Sequence, residues 1–232
     1  MWHLQIKILV FQSFTIILNN PLSKVQQAEV ISAEIPYSFY NINSTNNVLK
    51  FTAAATLYTV TFPSGNYGIT NFATVLQALM NAQFAGFTIT YDKTTYKLTF
   101  TNATAFSLNF PANTMAPLIG LTATSSTATS VTPQKIINIS GPKSLLIKSI
   151  RLTRPKITRP FLNQAQNDIL YKVPINGGPG DILVEKNVYT NLFRYGIRQT
   201  IDTMDFQLVD ENDVQVDLNG QNWSCTVNVI RG

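Results

Sequence analysis

The stretch SAEIPYSFYNINSTNN, residues 32–47, changes from strand to turn composition within a few residues. It begins with strand-like alternation, and Pro36 stops that strand because proline cannot donate to a sheet ladder. Three aromatics follow, Tyr37, Phe39 and Tyr40, before a run of Asn, Ser and Thr, which are turn-forming residues. The aromatics either form a rigid contact surface for another chain or seal the end of the chain's own core. Neither interpretation involves catalysis.

The rest of the chain has the composition of a sheet protein. Of its 232 residues, 45% are apolar and only 12% are charged, well below the usual charged share of about 25%. Thr and Asn are frequent, as are aromatics (14 Phe, 9 Tyr), and β-branched and aromatic residues are favoured in strands. We therefore predict a mainly β fold with enough chain to bury a sizeable core.

The composition leaves little material for catalysis or metal binding. Cys225 is the single cysteine, which excludes an internal disulfide and a cysteine-based metal cluster. His3 is the single histidine, so an acid–base relay through histidine pairs is not expected. We predict no catalytic residue, no metal site and no bound cofactor, and hence a protein that is not an enzyme.

The first residues, MWHLQIKILVFQSFTIIL, fit a strand better than a signal peptide. Leu4, Ile6, Ile8 and Val10 alternate with the residues between them, which is the period of a strand. A signal peptide needs a basic start, an uninterrupted apolar stretch and a small-residue cleavage site. No later run approaches the roughly 18 apolar residues of a membrane helix. We expect a soluble protein, made in the reducing interior of a cell, with no membrane span.

Residues 55–121 are predicted to form a compact α+β unit. The segment SGNYGITNFATVLQALMNAQFAGF contains apolar residues at helical spacing, namely Phe72, Val75, Leu76, Leu79 and Met80. Thr70 or Asn71 is available as N-cap, and Gly86 follows the predicted end. Because this helix is amphipathic, it must cover a sheet.

A hairpin directly after the helix supplies that sheet. In FTITYDKTTYKLTFTN, residues 87–102, two alternating strands flank a polar turn at Asp92–Thr95. Alternation places Tyr96, Leu98 and Phe100 on one face of the second strand. We expect Leu76 and Leu79 to be buried against this hairpin.

The flanking segments, 1–54 and 122–232, are typical of strands and turns. Residues 12–20 and 25–36 predict two strands joined by a turn at Pro21. Near the end of the chain, WSCTVNVI places Cys225 on the same face as three apolar residues, Trp223, Val227 and Val229. We therefore predict that the Cys225 thiol is a small apolar core group.

Charge is unevenly distributed along the chain. Lys93–Asn167 carries nine Lys or Arg and no acid, whereas residues 168–232 carry nine acids against five bases. The candidate contact residues are therefore Lys148, Arg151, Arg154, Lys156 and Arg159 in a basic span, and Asp202, Asp205, Asp210, Glu211, Asp213 and Asp217 in an acidic span. These spans are either complementary faces for assembly or ordinary solvated surface. The basic span is also suited to phosphates, as in non-specific contact with nucleic acid.

Five segments occur in an order that carries a family resemblance. They are AEVISAEIPYSFYNINSTNN, YTVTFPSGNYGITNFATVLQALMN, FTITYDKTTYKLTF, LIGL and the closing MDFQLVDENDVQVDLNGQNWSCTVNVI. In this order they resemble the penton and minor capsid proteins of double-jelly-roll DNA viruses, such as virophages, polinton-like viruses and giant viruses. Residues 155–195 lie outside the resemblance.

The resemblance implies a fold and a role. It implies a single jelly-roll β-sandwich, here over residues 1–54 and 122–232, with the α+β unit inserted at 55–121. It also implies a structural protein of the virion, five copies of which close each vertex of an icosahedral capsid among the trimers of the major capsid protein. The basic span would then meet packaged DNA or a neighbouring subunit, and the aromatic bend at 36–40 would lie near another chain. Contacts through the charged spans would weaken with salt.

Two other functions compete with the capsid hypothesis. A carbohydrate- or receptor-binding jelly-roll module predicts aromatics ringed by amides at exposed loops. A hydrolase using the acidic residues of 202–217 is the weakest candidate, because no histidine or nucleophile setting accompanies those acids.

Overall fold

The computed structural model describes residues 2–10, 13–110, 114–153, 168–186 and 193–232. Within these ranges the chain is mainly β, as predicted. Its elements in chain order are β1 Trp2–Val10, β2 Ser13–Pro36, β3 Val48–Ala53, β4 Thr56–Thr61, α1 Ile69–Gln83, β5 Thr88–Asp92, β6 Lys97–Leu108, α2 Ala116–Ile119, β7 Ala128–Val131, β8 Ser144–Lys148, α3 Ile150–Thr153, β9 Ile169–Pro174, β10 Ile182–Lys186, β11 Phe193–Asp210 and β12 Trp223–Arg231.

These elements form two compact units. Unit 1 comprises residues 1–39 and 142–232, and unit 2 comprises residues 40–141. Unit 2 therefore extends beyond the predicted 55–121 at both ends. At one end, β3 forms a hairpin with β4 and also pairs with β6, and at the other end β7 pairs with β6. Hydrogen-bonded strands of one sheet share a core, so these segments belong to unit 2.

Unit 1 is built on one antiparallel sheet with strand order β1-β12-β2-β11-β8-β9. The long strand β2 pairs with β12 along one edge, and with β11 and then β10 along the other. Strands β2 and β11 are long, and different partner strands pair with different parts of them. The sheet curls along these two strands, and its two ends enclose one core. Curled antiparallel sheets of this kind fit the predicted jelly-roll β-sandwich.

The turn predicted at Pro21 is absent, because β2 continues through this residue. The ladder between β2 and β11 shifts register on both sides of the pair Leu22–Ile201, and Lys24 adopts a left-handed φ of 57°. Residues in such a bulge do not donate to the ladder, so a proline is tolerated there. The sequence signal at Pro21 thus marks a bend within one strand.

The core of unit 1 confirms the predicted face of β12. Trp223, Cys225, Val227 and Val229 are all buried in one cluster, together with residues of β2, β8, β9 and β11. Cys225 is 1% exposed, and its burial raises the pKa of the thiol to about 12.

Unit 2 confirms the predicted helix and hairpin. Its sheet has the order β4-β3-β6-β5, with β7 on β6, and α1 packs against it. Leu76 is fully buried, and Leu79 is half-buried at the margin of the same cluster. The helix begins after Gly68 and not at Thr70 or Asn71, and no side chain caps it.

Tyr96 departs from the predicted inner face of β6. Leu98 and Phe100 are buried, but Tyr96 is 57% exposed and has a φ of 55°. It closes the turn by donating its N–H to the Asp92 carbonyl, and this left-handed conformation breaks the alternation. In the part of the chain that is described, no helix has the length and apolarity needed to cross a bilayer.

Candidate functional site

The polar run after the aromatics holds unit 2 together at its two chain ends. The Asn41 amide donates to the Tyr67 carbonyl (2.9 Å) and to the Ile139 carbonyl (2.7 Å). Its oxygen accepts the Tyr67 N–H at 3.0 Å. Asn41 therefore fastens the segment that enters unit 2 to the segment that leaves it, and we name this group the Asn41 clasp.

The other asparagines of the run also serve the backbone. Asn43 accepts the N–H and the hydroxyl of Thr45, and Asn46 donates to the Asn41 carbonyl. Asn47 is buried and donates to the Phe62 carbonyl at 2.9 Å. These amides replace ladder bonds where the chain turns, so the run is structural within its own unit.

The aromatic bend divides between core and surface. Pro36 ends β2, and Tyr37 and Phe39 are buried in the core of unit 1 with their rings stacked 4.2 Å apart. Burial also raises the pKa of Tyr37. Tyr40 is 38% exposed. Tyr37 and Phe39 thus seal their own core, and Tyr40 is the aromatic of this bend that presents a broad surface to solvent.

Asp205 of the acidic span organises the start of α3. Its carboxylate accepts the Ser149 hydroxyl at 2.8 Å and the N–H groups of Ile150 and Arg151 at 3.1 and 2.7 Å. Three donors on one carboxylate hold the short helix against β11. Asp205 therefore has a structural role where β8 ends.

The basic and acidic spans also meet directly. The Lys148 ammonium lies 2.6 Å from the Asp213 carboxylate, with the two side chains 18% and 67% exposed. Glu211 accepts the N–H of Lys143 with both oxygens, and Asp210 accepts the N–H groups of its own turn. Part of the predicted charge complementarity between the basic and acidic spans is therefore satisfied within one chain.

The remaining candidates are dispersed. Arg151, Asp202 and Asp217 have exposed side chains, and Asp217 accepts the Asn219 N–H at 2.8 Å. Arg154, Lys156 and Arg159 lie outside the described residues. No group of three or more metal-ligating side chains occurs within the described ranges.

Sequence reasoning missed two polar features of unit 1. Asn228 donates to the buried Glu29 carboxylate at 2.8 Å across β12 and β2. Tyr195 and Gln199 line a cavity beside α3. Gly196 in the segment RYGIRQ could have indicated the irregular strand beside this cavity, because glycine inside a strand often marks a bulge.

The fold and these contacts define a mainly β protein whose charged and amide groups largely support its own turns. No protein-family model and no curated protein matches the sequence. Among solved structures, the crystal structure of the mavirus penton protein aligns over 100% of both chains, with a TM-score of 0.48 and 8% identity.

Proposed function

We propose that this protein is a structural capsid protein and forms the pentameric vertex, the penton, of an icosahedral double-jelly-roll virus. The observation that carries the proposal is the order of sequence segments from the strand–proline–aromatic bend to the closing strands. The curled antiparallel sheet of unit 1 supports it, as does the separate α+β unit that lies in sequence between the two segments of unit 1. Asp205 and Asp210, two of the acids that would serve a hydrolase, instead accept backbone and side-chain donors nearby, which favours a structural role.

The proposed partners follow from this role. Five copies associate with one another, and the ring contacts trimers of the major capsid protein. A ring of identical subunits uses two different patches on each copy. The basic span, including Arg154, Lys156 and Arg159, faces either packaged DNA or the next subunit. Because Lys148 pairs with Asp213 within the chain, we expect only a modest weakening of the ring by salt.

Electron microscopy and sedimentation of the purified full-length chain test the proposal. We expect closed five-fold rings at micromolar concentration. Only monomer at high concentration and low salt would contradict self-assembly into a homopentamer.

Tyr40 provides the sharper test of the contact surface. Tyr40→Ala should weaken association about tenfold, the effect of losing roughly 1.4 kcal/mol at an aromatic contact. Tyr96→Ala is the matched control, because Tyr96 is an exposed tyrosine of the same unit. Equal association of the Tyr40→Ala and Tyr96→Ala variants would show that the aromatic bend does not lie in the interface.

A further inference from the structure

Unit 1 contains an open cavity of about 450 Å³ between α3 and the middle of β11. We propose that this cavity binds a neutral polyhydroxylated ligand, a mono- or disaccharide, as a function separate from capsid assembly. Small-molecule sites typically have volumes of about 300–1,000 Å³, so the cavity has room for such a ligand.

The cavity exists because β11 is irregular at this point. Its ladder with β2 shifts register three times, between Arg194 and Gln199, between Gln199 and Ile201, and between Ile201 and Thr203. A regular strand presents alternate residues to one side, yet all the residues from Gln199 to Thr203 line the cavity. Bulges redirect side chains in this way and are frequent beside functional sites.

The cavity has an apolar wall that is held in place. Tyr195 and Ile201 are buried, and Ile150 lies at the margin with a half-exposed side chain. The Tyr195 hydroxyl donates to the Leu152 carbonyl at 2.8 Å, which anchors the far end of the side chain. The small exposed part of this fixed ring, together with Ile150, offers an apolar contact to the C–H groups of a sugar, while the sugar's hydroxyls face other groups.

The polar part of the lining matches hydroxyl groups. Thr15, Thr200 and Thr203 contribute hydroxyls, and Gln199 contributes an amide. Each of these groups both donates and accepts, as a sugar hydroxyl does. A polyol therefore finds donors and acceptors on the same lining.

The charged part of the lining disfavours anions. Arg151 and Asp202 carry opposite charges, and Asp205 adds a second acid. The Asp205 carboxylate already accepts hydrogen bonds from the Ser149 hydroxyl and from the N–H groups of Ile150 and Arg151. A phosphate or sulfate would meet two acids and one base. A neutral sugar meets no such repulsion, and it gains from charge-assisted hydrogen bonds to Arg151 and Asp202.

Saturation-transfer NMR on the full-length protein, with a panel of free neutral mono- and disaccharides, tests the proposal. We expect at least one sugar to bind, with a dissociation constant measured by calorimetry. Gln199→Ala and Thr203→Val should each weaken that binding at least tenfold. Thr90→Val is the matched control, because Thr90 is an exposed strand threonine of unit 2, and it should leave binding unchanged.

Thermal unfolding of each variant shows whether it folds. If Thr203→Val does not fold, the effect of Gln199→Ala on sugar binding alone tests the proposal. Absence of saturation transfer from every sugar in the panel would overturn the proposal. Sugar binding that survives both variants would also overturn it, because the sugar would then bind elsewhere. Tighter binding of inorganic phosphate than of any neutral sugar would contradict the proposed ligand class.

Discussion

Units 1 and 2 are both built on antiparallel sheets, but their strands find partners at very different distances along the chain. In unit 2, β3 pairs with β4 and β5 with β6, so each hairpin joins consecutive elements. In unit 1, β2 near the start pairs with β11 and β12 near the end, as in the pair Glu34–Ser224. The sequence pattern of neighbouring segments is sufficient to form the hairpins of unit 2, whereas the pairing of β2 with β11 and β12 requires the whole chain.

The units also differ in their buried titratable groups. Among the described residues, four groups have a pKa raised by burial, and each lies in unit 1: Tyr37, Tyr171, Tyr195 and Cys225. In unit 2, the exposed Asp92 has its pKa lowered, chiefly by hydrogen bonds from Thr95 and Thr94. Alkaline pH should therefore act on unit 1.

The largest expected effect is a loss of unit 1 stability as pH rises from about 9 to 12. Burial raises the pKa of Cys225 from 9.0 to about 12, so its neutral thiol stabilises the fold below pH 9. That contribution, about 4 kcal/mol for a shift of this size, is lost as pH rises through the folded value. Tryptophan fluorescence reports unit 1, since Trp2 and Trp223 both lie there, and circular dichroism reports α1 of unit 2.

We expect the fluorescence transition to precede the loss of helix signal as pH is raised. Cys225→Ala should make the loss of stability between pH 9 and 10 shallower, although its smaller side chain lowers stability at neutral pH. The loss at higher pH should persist, because burial also raises the pKa values of Tyr37, Tyr171 and Tyr195. Coincident transitions, or earlier loss of the helix, would contradict the contrast between the units.

The next effect concerns the core of unit 2. Leu76→Ala should cost about 2–5 kcal/mol, because a fully buried leucine leaves a cavity. Leu79→Ala should cost clearly less, because Leu79 is half-buried on the same helix. Urea unfolding measures both, and equal losses would show that the helix does not pack as described.

The Asn41 clasp should have a smaller effect. Asn41→Ala removes three hydrogen bonds, each contributing about 0.5–1.5 kcal/mol net, so we expect a loss of about 1.5–4.5 kcal/mol. Gln83→Ala, at an exposed position of the same unit, is the control and should be close to neutral. A neutral Asn41→Ala in the same urea titration would show that local turn contacts suffice to close unit 2.

The smallest effect is expected at the ion pair of unit 1. A double-mutant cycle on Lys148→Ala and Asp213→Ala should give a coupling of about 0.2–1 kcal/mol, because Asp213 is largely exposed. The coupling should decrease at high salt, where charges are screened over a shorter distance. A coupling that does not change with salt would indicate a pair shielded from solvent.

Much of unit 2 was predictable because its signals are local. The period of α1 and the alternation of β5 and β6 each identify a buried face, and the covering layer is the next element along the chain. Tyr96 escaped prediction because a left-handed turn residue interrupts that alternation. The extension of unit 2 to Tyr40 and Gly141 was also not predicted, since the Asn41 clasp joins residues distant in sequence.

For the protein as a whole, the sequence by itself determined the mainly β class, helix α1, the β5–β6 hairpin and the buried face around Cys225. Composition and short-range periodicity carry that information, because burial of one face of an element depends on its own residues. Only the tertiary structure decided that Pro21 lies in a bulge and that Asp205 holds α3. It also decided that Lys148 meets Asp213 and that Tyr195 lines a cavity. These contacts depend on the register between strands distant in the chain, and bulges shift that register without changing the pattern of either strand alone.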